Sequence, residues 1–125
     1  MNSFHFEKIE AWQLARKLTD QVYQLVSRGV FSRDFGLRDQ ITRAACSAMH
    51  NTAEGFDAES TTEFIRFLRY AKGSRTEVQS ELYIALDQSY ISQAQFDETY
   101  ELARHTRAEI GAFINYLKTY QARQT

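Results

Sequence analysis

The 125-residue chain has 43% hydrophobic and 25% charged residues and a formal net charge of −1. That balance predicts one globular domain and excludes a chain that coats nucleic acid by bulk charge. No run of about 18 apolar residues occurs, so no membrane span is expected. The N-terminal residues lack the basic-then-apolar layout of a signal peptide. The single cysteine, Cys46, cannot close an intramolecular disulfide, which fits a reducing cytoplasm. Proline is absent, where average composition predicts about six. Proline breaks helix interiors, so its absence predicts long unbroken helices.

The first helix is predicted over residues 8–27. Its buried stripe is Trp12, Ala15, Leu18, Val22, Leu25 and Val26, at three-and-four spacing. Gly29 supplies a left-handed terminus.

The second helix is predicted over 35–54. Leu37, Ile41, Ala44, Ala45, Ala48, Thr52 and Ala53 recur at helical spacing. Asp34 or Ser32 caps its start, and Gly55 stands where a C-terminal glycine belongs.

The third helix is predicted over 61–89. Ser60 and Glu63 have capping-box spacing, and Phe64, Phe67, Leu68, Ala71, Val78, Leu82 and Ala85 form the stripe. Gly73 inside this helix suggests a close helix crossing.

The fourth helix is predicted over 93–120. Ser92 and Gln95 form a second capping box, followed by Phe96, Tyr100, Ala103, Ile110, Phe113, Ile114 and Leu117. No repeat, strand pattern or domain boundary interrupts the chain. Four such helices with short connections predict an all-α, antiparallel up-down-up-down four-helix bundle, one domain spanning residues 1–125.

Two helices are too apolar for a monomer. Ala44-Ala45-Cys46-Ser47-Ala48 places small residues on every side of the second helix. The third adds Ile65, Tyr70, Tyr83 and Ile84 beyond its stripe. These excesses predict a homo-oligomer. The polar residues on the same helices, Gln40, Arg43, Asn51, Glu54, Ser74 and Glu77, predict a buried or interfacial network that fixes helix register.

Catalytic patterns are thin, and no enzyme is expected. His5, His50 and His105 are the only histidines. None has a Glu three residues before it, which excludes the Glu-x-x-His pairs of di-iron bundles. His50 with Glu54, and Glu101 with His105, are spaced as surface pairs. Cys46 among alanines reads as an inert small apolar residue. No metal site, cofactor or small-molecule substrate is expected.

Charge is sorted along the chain. Arg66, Arg69, Lys72 and Arg75 recur every three residues with no acid from Phe64 to Thr76. A step of three falls 60° short of a turn, so they form a winding ridge. From Glu77 to Glu101 six acids occur without a Lys or Arg. Antiparallel packing makes the opposite end basic. Arg66, Arg69, Lys72 and Arg75, with Arg104 and Arg107, are the candidate polyanion-binding residues.

The segments Glu10-Ala11-Trp12-Gln13-Leu14-Ala15 and Leu37-Arg38-Asp39-Gln40-Ile41-Thr42-Arg43-Ala44 belong to one pattern. It continues with Ser47, Asn51-Thr52-Ala53-Glu54-Gly55, Phe64, Phe67-Leu68, Ala71-Lys72-Gly73-Ser74 and Glu77. In order and spacing the pattern resembles the 23S rRNA intervening-sequence proteins, or S23 proteins. The resemblance implies a four-helix bundle and a ring-shaped homopentamer with no assigned biochemical activity. It also implies a distant relation to the accessory variability protein of diversity-generating retroelements, which binds nucleic acid and a reverse transcriptase. Two features depart from the family: Ser47-Ala48-Met49 lacks a frequent proline, and the chain is near neutral where the retroelement branch is strongly basic. The functional expectation is a non-enzymatic homo-oligomeric scaffold, a pentamer as the resemblance implies, with RNA as a candidate partner at its basic end. The alternative is a protein-interaction adaptor without a nucleic-acid partner.

Overall fold

A computed structural model describes residues 5–124. Four helices account for nearly all of it: α1 (Glu10–Val26), α2 (Phe35–Phe56), α3 (Thr61–Asp87) and α4 (Gln93–Gln124). Among the described residues there is no strand.

The helix ends follow local chemistry. A 3-10 turn, Phe6–Lys8, precedes α1 and takes Lys8 out of the helix expected there. Gly29 has φ 57°, the left-handed terminus read from the sequence. It opens a second 3-10 turn, Gly29–Arg33, which carries Phe31 into the core. Asp34, rather than Ser32, caps α2, its Oδ1 accepting from Leu37 N at 3.1 Å. Ser60 caps α3 by accepting from Glu63 N at 3.1 Å. At α4 the capping box is complete, with Gln95 N donating to Ser92 Oγ and Ser92 N donating to Gln95 Oε1.

Two glycine expectations fail. Gly55 does not end α2 but lies inside it. A Cβ there would stand 2.8 Å from Phe64 Cδ1 and 3.0 Å from Phe67 Cβ, so Gly55 is the close crossing. Gly73, expected in that role, has nothing within 4 Å of a built Cβ. α3 ends two residues early, at Asp87. Tyr90 N donates to Ala85 O and Ser89 N to Leu86 O, with Ser89 left-handed at φ 62°.

The helices are antiparallel neighbours around a square. Thr19 on α1 donates to Ala45 O on α2. Ser74 on α3 meets Ser47 on α2, while Phe64 near the start of α3 packs on Gly55 near the end of α2. Tyr83 on α3 contacts Tyr100 on α4, and Gln121 near the end of α4 donates to Thr62 at the start of α3. Gln21 late in α1 meets Thr99 early in α4. Each pairing descends one helix as it climbs the next, which is the up-down-up-down order.

The core divides into two apolar clusters. One holds Leu18, Val22, Phe31, Ile41, Leu82 and Phe96 at the end with the α1–α2 and α3–α4 connections. The other holds Ile9, Ile65, Leu68, Ile110, Ile114 and Leu117 at the opposite end. Each large buried side chain contributes roughly 1.5–3 kcal/mol by leaving water. Between the clusters lies a waist that includes Ala48, Ser74, Arg75 and Thr106, all buried. Among the described residues, no helix is long and apolar enough to cross a membrane.

Candidate interaction surfaces

The α2–α3 face brings together part of the expected polar network. Ser47 is its centre. Asn51 Nδ2 donates to Ser47 O and Oγ, both at 2.9 Å, and Ser74 Oγ donates to Ser47 Oγ at 2.9 Å. These bonds tie α2 to α3 at the waist. Gln40, Arg43 and Glu77 instead line an open groove with Ala44, Ser47 and Glu81. Glu54 is exposed and outside both groups. The expected network is therefore a part-buried serine–asparagine knot beside a charged groove.

Glu81 is the residue that sequence reasoning missed. Its Oε1 is buried and has no partner. Burial, and then Glu77 one turn away, push its carboxyl up to about 7. The signal was present as two acids four residues apart on one helix face. No ion pair joins Arg43 to Glu77 or Glu81 among the described residues.

The apolar excess is distributed differently from the expectation. Ala44, Ala45 and Ala48 are buried inside the bundle, so the small-residue run of α2 is largely used there. Ile65 is 5% exposed and belongs to the core. Tyr70, Tyr83 and Ile84 remain open on α3 at 49%, 50% and 45%. Exposed aromatic side chains also occur off α2 and α3, at Tyr23, Tyr116 and Tyr120.

The six candidate polyanion-binding residues do not form a rim at one end. Arg75, Arg104 and Arg107 sit near the middle of α3 and α4, away from either end of the bundle. Arg66 is engaged by Glu63 at 2.5 Å and donates to Tyr70. Arg104 is paired with Glu101, whose carboxyl its hydrogen bonds hold below the usual range. Arg69 and Arg107 are exposed and Lys72 is half-buried. Arg75 departs from the expected ridge altogether. It is 3% exposed because it occupies the inward stripe of Ala71, Val78 and Leu82.

Glu101 turns to Arg104, not His105. Cys46 is half-buried, with its Sγ 3.9 Å from the Tyr23 hydroxyl. His50 and His105 are exposed. Among the described residues, no cluster of three His, Cys, Asp or Glu side chains is placed to hold a metal ion.

Comparison with known proteins agrees with this architecture. The family model for the 23S rRNA-intervening sequence protein matches residues 7–112. A crystal structure of a protein of unknown function from the S23 ribosomal protein family of Bacteroides thetaiotaomicron VPI-5482 superposes with a TM-score of 0.71. The alignment is 21% identical and covers 83% of this chain and 94% of that one. No curated protein matches the sequence. With the family pattern spanning most of the bundle, the chain belongs to the 23S rRNA-intervening sequence protein family.

Proposed function

We propose that this chain is a non-enzymatic, self-associating helical-bundle scaffold whose α2–α3 face meets another copy. The observation that supports it is the groove around Glu81. A buried carboxylate oxygen without a partner is costly, and it lies on a face that also exposes Tyr70 and Ile84. A second copy suits this face because Arg43 lies beside Glu77 and Glu81. The groove thus offers charges of both signs to a neighbouring copy. A closed ring of five copies is the assembly the family resemblance implies.

Sedimentation analysis of the purified protein tests the reading. The wild type is expected to assemble, and Tyr70→Ser with Ile84→Ser is expected to shift it toward the monomer. A wild type that sediments as a clean monomer at every concentration would sink the proposal.

RNA is the second reading, favoured by Arg69, Lys72 and Arg107, none of which pairs with an acid among the described residues. Binding to single-stranded RNA that weakens steeply across a salt series supports it. Absence of binding at low salt removes RNA and leaves a protein-interaction adaptor.

A further inference from the structure

The waist of the bundle contains a guanidinium that the fold leaves without an anion. Arg75 is 3% exposed. One of its terminal nitrogens donates to Gln79 Oε1. Its buried Nε has no partner. Among the described residues no carboxylate lies within ion-pair distance of it. The titratable groups that act on it are Arg107, of like sign, and Tyr100, both on α4. Burial first, and Arg107 second, lower its affinity for its proton.

A buried charge is costly unless it is paired and fully hydrogen-bonded. An apolar side chain in the Ala71–Val78–Leu82 stripe would avoid that cost entirely. The α3–α4 register set by Tyr83 on Tyr100 and Thr62 on Gln121 brings Arg107 level with Arg75, and this second arginine on the facing helix compounds the cost. Two guanidinium groups, one in the floor of the seam and one at its surface, supply more donors than the protein satisfies.

We propose that Arg75 and Arg107 form a site for one phosphate group in the α3–α4 seam. Arg75 Nε donates from the floor and Arg107 closes from the exposed side. Planar guanidinium forks match phosphate oxygens, and two cations without an acid match a multiply charged or strongly polar oxyanion. Free phosphate and the phosphodiester of RNA share this chemistry. The site goes beyond the scaffold reading and does not depend on self-association.

Thermal unfolding is followed while inorganic phosphate replaces chloride at constant ionic strength. The wild-type Tm is expected to rise and saturate. Arg107→Gln, a change at an exposed position, is expected to raise the half-saturating phosphate concentration about tenfold, as loss of one charged hydrogen bond does. Any general salting-in-place by phosphate appears equally in that variant. Arg75→Met is expected to fold, with a phosphate-free Tm no lower than the wild type, and to lose the saturable rise. If it does not fold, Arg107→Gln alone decides. In a second arm, fluorescence anisotropy measures a labelled single-stranded RNA on the same proteins. An Arg107-dependent response to free phosphate alone supports the site and removes the RNA reading. An Arg107-dependent affinity for RNA alone supports the site with a phosphodiester as its source. RNA binding that is unchanged in Arg107→Gln, with no saturable phosphate response, overturns the site and leaves the RNA reading standing. An equal, saturable shift with acetate also overturns it, since the site then takes a carboxylate.

Discussion

Tyr90 donates its phenolic hydrogen to Asp34 Oδ2 across 2.9 Å, tying the α3–α4 connection to the start of α2. Asp34 thereby serves two chains of contact, because its other oxygen caps α2 at Leu37 N. Tyr90→Phe removes one hydrogen bond to a charged acceptor and is expected to lower stability. Asp34→Ala removes the cap as well and is expected to cost more than Tyr90→Phe. Urea denaturation of both variants checks the order. Equal losses would show that the cap contributes nothing.

Gly55 and Gly73 are expected to respond oppositely to alanine. At Gly55 the added methyl meets Phe64 and Phe67 at 2.8 and 3.0 Å, and α2 and α3 must move apart. Overpacking of that kind costs about 1–3 kcal/mol. At Gly73 the methyl meets nothing, so helix propensity alone operates and stabilises by about 1 kcal/mol. Chemical denaturation of the two variants reads both signs.

Ser89 holds a left-handed conformation, φ 62°, where the chain leaves α3. That conformation costs a side-chain-bearing residue about 1–2 kcal/mol, which glycine avoids. Ser89→Gly is expected to raise Tm by several degrees without changing the helix content seen by circular dichroism. A lowered Tm would contradict this account of the turn.

Glu81 makes stability depend on pH. Its folded-state carboxyl is raised from 4.5 to about 7, so it binds a proton more tightly in the folded chain. The associated stability is present below pH 4.5 and is lost as pH rises through about 7. Solvent reaches part of this side chain, so the loss is discounted to about 1–2 kcal/mol. Glu81→Gln is expected to be the more stable protein at pH 8 and to lose that advantage by pH 5. Thermal melts at the two pH values, with the neighbouring Glu77 and Arg43 intact, check the crossover.

Much of the bundle was legible because helix periodicity and capping are local. Ser60, Ser92 and Asp34 sit at their helix starts and cap as their spacing predicts. Phe31 was not legible, since a 3-10 turn of five residues has too short a period to announce which side chain it buries. Its loss would leave a cavity costing about 3–5 kcal/mol on truncation to alanine. Gly55 and Gly73 were interchanged because a glycine's neighbours come from another helix, and sequence records only its own. The winding of Arg66 to Arg75 was readable, but its consequence was not: one member of the run had to fall on the core stripe.

The polar waist between the two apolar clusters also bears on how the molecule breathes. Each cluster lies at its own end and draws on a different set of large side chains. Cooperative opening follows contiguous apolar contact, and Ser74, Arg75 and Thr106 interrupt that contiguity. The two halves are therefore expected to behave as separate units in amide hydrogen exchange, with the half clamped by Tyr90 and Asp34 the slower to exchange.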